Sequence, residues 1–490
     1  MKISDLMVQS GVAFGTSGAR GLSVKITDLV AYSYTKAFLQ YLDCGKFELK
    51  NRTVAIAGDL RPSTPRIMTA AMQAAKLHGY AIINCGHIPS PALALFGITK
   101  KIPTVMVTGS HIPADRNGIK FTKISGEISK EDEQGILAQG VEIPADLFDD
   151  NEMLINPIQG VPIVEEARRL YLKRFLQNFP KTLLKGRRIG VYEHSAVGRE
   201  LMLEIVTGLG GEALSLGRSK EFIPVDTEAI REEEIRLAKE WAHEHHLDAI
   251  ISTDGDSDRP LISDENGSWF RGDLAGILTA QYLKCDAVVT PVSCNSAVEE
   301  VGFKKVYRTR IGSPYVIAGM EEAARDGWKR IVGYEANGGF LQYNDIEVEG
   351  GVLEALPTRD AIIVHLALLS LSAKLGIPLS KLREMLPPRF TASGRLKEFP
   401  FERSRECLKK LSGEEAGRYP EIKRYFCELC GEVRGVNFTD GLRITFINGE
   451  VIHLRTSGNA PEFRCYTEAS LEDRAQEILG KVLVIMESWR

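Results

Sequence analysis

The sequence predicts an α/β protein: three related α/β units followed by a smaller α+β domain. Three observations carry this expectation. Short apolar runs alternate with longer amphipathic ones, the pattern of largely parallel sheets flanked by helices. One arrangement recurs three times. The apolar runs 54–57, 189–192 and 287–290 each follow charged or polar residues and precede a helix-like segment; a second strand candidate then appears at 81–84, 213–216 and 305–308. The third observation is length, since 490 residues exceed what one hydrophobic core organises.

Identity among the three copies is weak, so the repeat is one of elements rather than of residues. The expected units cover residues 1–158, 159–264, 265–384 and 385–490. The last reads differently from the others. Segments 441–446 and 450–455 alternate as strands, and Ile447-Asn448-Gly449 between them is a hairpin signal because Asn-Gly tolerates positive φ. An amphipathic helix over 471–487 closes the chain. Leu386-Pro387-Pro388-Arg389 marks the start of this domain, since proline interrupts regular structure.

Hydrophobic residues at 44% and charged residues at 26% are those of an ordinary soluble globular protein. A net charge of −4 argues against a nucleic-acid or anionic-membrane partner, while leaving room for a local basic pocket. The N-terminus has no apolar segment of the signal-peptide kind. The most apolar stretch, 361–371, is interrupted by His365 and falls short of the ~20 residues a membrane span needs. Eight cysteines without a secreted-scaffold rhythm point to free thiols in a reducing cytoplasm. Cys427 and Cys430 form a lone C-x-x-C with no second ligand pair nearby. His243-Glu244-His245-His246 lacks the second His of H-E-x-x-H and reads as a solvated helix end.

The strongest chemical signal is Asp254-Gly255-Asp256-Ser257-Asp258-Arg259, directly after the apolar strand candidate 249–252. That is a loop at a strand's C-terminal end, where open α/β sheets hold their ligands. Carboxylates at i, i+2 and i+4 repel one another unless a cation neutralises them, and hard oxygen ligands suit magnesium or calcium. An EF-hand is rejected. Glu265 falls at its twelfth position, but Arg259 stands where that loop needs glycine, Pro260 follows, and the flanks read as strands.

A second signal is Thr108-Gly109-Ser110-His111-Ile112-Pro113, running on to Asn117-Gly118-Ile119-Lys120-Phe121. A serine hydroxyl needs a partner to take its proton, and His111 and Lys120 are the local candidates. Alone, the Ser-His pair also reads as a turn-capping serine, and no G-x-S-x-G elbow surrounds it. A third is Arg455-Thr456-Ser457-Gly458-Asn459-Ala460-Pro461 with Arg464 beyond. Exposed backbone N–H groups flanked by forked donors make an anion nest for phosphate, a structural hairpin loop being the alternative. Phe14-Gly15-Thr16-Ser17-Gly18-Ala19-Arg20-Gly21 is glycine-rich but lacks the lysine and spacing of a P-loop. Gly333-Tyr334-Glu335-Ala336-Asn337-Gly338-Gly339 follows the strand candidate 330–332 and offers a carboxylate and an amide suited to sugar hydroxyls. Either of these last two, alone, reads equally well as a turn.

These five segments, in this order, resemble the α-D-phosphohexomutase superfamily, and within it the phosphomannomutase/phosphoglucomutase family most closely. The motifs run from Phe14 to Tyr466 and so cover essentially the whole chain. The resemblance implies three α/β domains and a C-terminal domain of the TATA-box-binding-protein-like type around a central cleft. It implies that Ser110 carries the phosphoryl group and completes a magnesium site with Asp254, Asp256 and Asp258. It implies that Arg20, Lys120 and Arg259 serve the reacting phosphate, Lys120 in proton transfer, with His111 in a supporting acid–base role. Glu335 and Asn337 would recognise the sugar; Arg455, Ser457, Gly458, Asn459 and Arg464 would bind the phosphate that is not reacting.

The implied reaction interconverts hexose 1-phosphate and hexose 6-phosphate through a hexose 1,6-bisphosphate, in a cytoplasmic monomer or homodimer with no nucleic-acid or membrane partner. Two departures stand out. The family's serine loop is usually T-A-S-H-N-P, where this chain has Gly109 and Ile112. The sugar loop is often G-E-M-S-G-H, and this chain lacks its Ser and His. Mannose phosphates are the expected substrates, ahead of glucose and then glucosamine phosphates. A sugar-phosphate-binding protein without turnover and a metal-dependent phosphatase are the readings from other classes.

Overall fold

The computed structural model describes residues 1–490 apart from 16–17, 45–50, 414–418 and 458–460. The recurring arrangement is present as three sheets with one plan. In each, a first strand pairs in parallel with a second: Thr53–Gly58 with Ala81–His87, Arg188–Tyr192 with Glu212–Leu216, and Ala287–Pro291 with Lys305–Thr309. On its other side the first strand pairs in parallel with a third: Thr104–Val107, Ala249–Thr253 and Ile331–Tyr334. A fourth strand then returns antiparallel to the third: Arg116–Lys123, Pro260–Ser263 and Phe340–Gln342. The apolar runs are buried on both faces, which is why they read as continuous rather than alternating.

One expectation needs correcting. The first two units cross over through the helices Thr64–Leu77 and Arg199–Gly208, but the third crosses through only the short 3₁₀ turn Ser296–Glu299. Asn295 caps that turn by accepting from the Ala297 N–H at 2.8 Å. The strand expected at 330–332 is also displaced: it runs Ile331–Tyr334, so Gly333 and Tyr334 belong to the sheet and the loop begins at Glu335.

The last body is a five-stranded antiparallel sheet, Phe390–Lys397, Glu462–Ala469, Val451–Thr456, Leu442–Phe446 and Val433–Asn437 in spatial order, with the helices Phe401–Leu411, Pro420–Cys430 and Glu472–Glu487. Its hairpin turns at Asn448-Gly449 as expected; Gly449 has φ 83°, and the Asn448 side chain accepts from the Glu450 N–H at 2.9 Å. This body has its own core around Phe399, Phe426, Phe446 and Phe463. The three α/β units share a continuous core, which runs from Leu93 and Phe96 through Phe175 and Val191 to Phe340 and Leu368, and each also has a separate one, around Phe38 and Phe121, Tyr192 and Leu261, and Val289 and Met320.

The helix Ala361–Leu375 is buried within that shared core. No single helix among the described residues is long and apolar enough to cross a membrane. All eight cysteines are free, Cys427 and Cys430 lying on one helix. The histidine cluster ends the helix Glu232–His245, with His246 capping it at φ 49°.

Candidate active site

The shared plan puts the chemistry in equivalent places. The connection from third to fourth strand carries Ser110 in the first unit, Asp254 to Arg259 in the second, and Glu335 to Gly339 in the third. Three loops of one topological origin thus face one region, each at the C-terminal end of a parallel strand.

Ser110 is fully buried and held at φ 56°, a left-handed conformation that costs a non-glycine residue energy unless its surroundings enforce it. They do. Its N–H donates to Thr108 Oγ1 at 2.8 Å, and its carbonyl accepts from Arg61 Nη2 at 2.8 Å. Ser110 Oγ donates to Asp254 Oδ2 at 2.5 Å and lies 3.3 Å from His111 Nδ1. Gly255 allows this approach: a Cβ there would stand 2.8 Å from the Ser110 carbonyl oxygen and 2.8 Å from the ring of Phe222.

One carboxylate oxygen from each of Asp254, Asp256 and Asp258 lies within 4.8 Å of the others, and all three residues are buried. Lys120 Nζ bonds Asp256 Oδ2 at 2.6 Å and Asp258 Oδ2 at 2.9 Å. Burial and the neighbouring Asp256 and Asp258 push the Asp254 carboxyl well above the usual range. The Oδ1 atoms of Asp256 and Asp258 are buried without a hydrogen-bond partner. Two orphaned buried carboxylate oxygens beside a third carboxylate and a serine oxygen are a donor set that fits a hard divalent cation.

Arginines surround the cage. Arg259 Nη1 donates to His111 Nδ1 at 2.9 Å. Burial, Arg259 and Arg20 together push the His111 imidazole far below its ordinary range, so it is held neutral with Nδ1 as acceptor. Arg20 lies on the strand Ala19–Leu22 opposite Gly118, whose missing Cβ leaves room for its stem. Desolvation, with Arg259 next, lowers its pKa to about 10.

Two buried arginines escaped the sequence reading. Arg61, in Gly58-Asp59-Leu60-Arg61, gathers the serine loop from below. Arg359, before the helix Ala361–Leu375, bonds Asp258 Oδ2 at 3.0 Å and reaches Glu335 Oε2 at 3.4 Å. Burial works against the Arg359 charge, and Asp258, Glu127 and Glu335 more than offset it. The only sequence signal for Arg61 is a Gly-Asp-x-Arg stretch following a strand; Arg359 has none.

Two of the departing positions, Gly109 and Gly339, have packing reasons. A Cβ on Gly109 would stand 2.6 Å from Arg61 Cζ, so the guanidinium occupies the place of a side chain. A Cβ on Gly339 would stand 2.4 Å from Arg359 Cδ. Asn337 spends its side-chain oxygen inside its own loop, accepting from the Gly339 N–H at 2.9 Å.

The phosphate-nest residues lie apart from the cage. Arg455 and Arg464 are direct cross-strand partners, a like-charge pair that is unfavourable unless anions attend it. Asp440 lies 3.4 Å from Arg455, and Glu462 lies 3.0 Å from Arg464. Both arginines and Ser457 line a cavity of 590 Å³, together with Phe14, Lys130, Arg310 and Tyr315. Its lining does not include Ser110, Asp254, Asp256 or Asp258. Gly458 and Asn459 lie outside the described residues.

Four family models match the chain in order: phosphoglucomutase/phosphomannomutase alpha/beta/alpha domain I over residues 11–143, domain II over 169–267, domain III over 271–390, and the C-terminal domain over 414–483. The chain belongs to the phosphoglucomutase/phosphomannomutase family, and it is an enzyme of the phosphohexomutase class. Among curated relatives it is similar to a phosphomannomutase of Sinorhizobium fredii (strain NBRC 101917 / NGR234), 40% identical and covering 98% of this chain and 99% of the relative. It is likewise similar to a phosphomannomutase of Salmonella muenchen, 42% identical over 99% of this chain and 97% of the relative. A solved phosphoglucomutase/phosphomannomutase family protein from Burkholderia thailandensis shares the fold, with a TM-score of 0.72 at 18% identity, covering 97% of each chain.

Proposed function

We propose that the chain interconverts mannose 1-phosphate and mannose 6-phosphate, with Ser110 as the phosphoryl carrier and mannose 1,6-bisphosphate as the intermediate. The observation that carries this reading is Ser110 Oγ, 2.5 Å from Asp254 Oδ2 at the edge of a three-carboxylate cage. The choice of mannose rests on the names of the two full-length relatives.

Asp254, Asp256, Asp258 and the phosphorylated Ser110 would hold magnesium, which when bound supplies positive charge to offset that of the transferring phosphoryl group. The chain's own residues align and neutralise. Phospho-Ser110 presents its phosphorus to the free hydroxyl of a hexose monophosphate; the new P–O bond forms as the P–Oγ bond breaks, leaving unphosphorylated serine and a bisphosphate. Lys120, kept protonated by Asp256 and Asp258 against its burial, gives a proton to the departing Ser110 Oγ and is restored by the proton that the attacking hydroxyl loses, and Arg20 and Arg259 flank the reacting phosphate. After the bisphosphate turns over in the cleft, its other phosphate returns to Ser110. Arg455, Ser457 and Arg464 hold whichever phosphate is not reacting, so that remote binding energy orients the sugar in both directions.

Ser110→Ala is expected to abolish turnover while sugar-phosphate binding stays within about twofold. Turnover resembling that of the unaltered enzyme ends the proposal. Intact mass of the purified enzyme should show a fraction carrying one extra phosphoryl group that Ser110→Ala lacks. Parallel assays with mannose, glucose and glucosamine 1-phosphates, with a trace of bisphosphate, rank the substrates. Release of free phosphate instead of isomerised sugar would favour a phosphatase.

A further inference from the structure

We propose that Arg359 is a positioning residue that joins the divalent-ion cage to the sugar loop, so that ion and hexose phosphate bind cooperatively. The inference rests on the reading above of the aspartates and of Glu335.

Arg359 is among the largest side chains that are almost wholly enclosed, at 2% exposure. Its guanidinium joins two carboxylates from different units: Nε donates to Asp258 Oδ2 at 3.0 Å, and Nη1 to Glu335 Oε2 at 3.4 Å. Asp258 is one corner of the cage, and its other oxygen has no hydrogen-bond partner. Glu335 is the carboxylate of the sugar loop. One rigid planar fork thus spans the two loops, and moving either carboxylate moves the group that holds the other.

Three features fix the arginine itself. Its stem lies across Gly339, where a Cβ would meet Cδ at 2.4 Å and Cγ at 2.7 Å. Its neighbour Asp360 caps the helix Ala361–Leu375 by accepting from the Ile362 N–H at 3.1 Å. Asp360 also accepts from Tyr171 Oη at 2.6 Å, which anchors the backbone on the second unit. A link pinned at its base and shared at its tip passes a change in Glu335 on to Asp258. A sugar hydroxyl that settles Glu335 therefore settles Asp258 for the ion, and by linkage the ion favours the sugar equally.

The coupling is measured in the enzyme with Ser110 intact and unphosphorylated, which has no phosphoryl group to pass to a monophosphate, so no turnover intervenes. Magnesium or manganese is titrated calorimetrically, alone and with saturating mannose 1-phosphate. Sugar phosphate is expected to tighten ion binding about tenfold, and the ion to tighten sugar binding by the same factor. Arg359→Lys and Arg359→Gln should reduce that factor to about twofold or less, with each ligand still binding separately. Gly339→Ala keeps the charge but displaces the stem, and should reduce the coupling too, which covers a folding failure of the arginine variants. Coupling absent in the parent, or undiminished in all three variants, overturns the proposal. If the parent binds sugar phosphate but no ion, the magnesium reading falls with it; if both bind without coupling, only this inference falls.

Discussion

At the scale of single residues, Arg61 shows how a buried charge sets the geometry of a nucleophile it never reacts with. Its side chain has no exposure, and it makes five hydrogen bonds: Nε to Asp59, and two each from Nη1 and Nη2 to the carbonyls of Pro113, Arg116, Ser110 and Ile112. Its Cζ lies 4.0 Å from the centroid of the Phe222 ring, contributed by the second unit. Lysine is a point charge that cannot span four carbonyls. Arg61→Lys is therefore expected to fold but to lower kcat by about tenfold or more, with KM for sugar phosphate within about twofold. Steady-state kinetics beside circular dichroism check this; an unchanged kcat removes Arg61 from control of the serine loop. The aspartates were legible as a cluster because their carboxylates stand at i, i+2 and i+4 in one loop, whereas Ser110 stood out from a turn-capping serine only through the family resemblance. Arg61 was not legible, because its carbonyl partners lie 49 to 55 positions downstream and any residue type presents a carbonyl.

At the scale of elements, the periodicity that named the strands also placed three of the candidate loops, those of Ser110, of Asp254 to Asp258 and of Glu335, each after a buried parallel strand, whereas the candidate phosphate loop follows the antiparallel strand Val451–Thr456. What periodicity misses is the identity of a crossover. The segment after 287–290 reads like its two counterparts, yet it folds as a 3₁₀ turn because Asn295 caps it at once and Arg308 bonds the Pro291 and Cys294 carbonyls at 2.9 and 3.0 Å. Helix starts also matter here. Asp360 caps the buried helix Ala361–Leu375, accepts from Tyr171 and lies 3.7 Å from Arg174 Nε. Asp360→Ala removes a cap and leaves Tyr171 and Arg174 short of a buried partner, for an expected loss of about 2–4 kcal/mol. Urea unfolding would read it, and a loss below about 1 kcal/mol would show that the cap is dispensable.

At the scale of the whole molecule, three of the four bodies bury an imidazole, and this gives the fold a response to acid. His194 in the second body, His365 in the third and His453 in the fourth are enclosed, and burial lowers each pKa from the usual 6.5 to about 4. The unfolded chain therefore binds more protons than the folded one between these values, and stability falls as pH drops through that window. From about pH 7 to about pH 5 each histidine accounts for about 2 kcal/mol of lost stability. The urea midpoint should fall steeply over this range while remaining nearly flat from about pH 7 to about pH 8, where all three are neutral in both states. His365 is remote from solvent on an apolar helix, so His365→Gln substitutes a side chain that does not titrate. That variant should lose less stability on acidification than the parent, by about one histidine's share, whatever the change costs at neutral pH. An acid dependence identical in parent and variant would mean that carboxylates, not buried imidazoles, govern unfolding in acid.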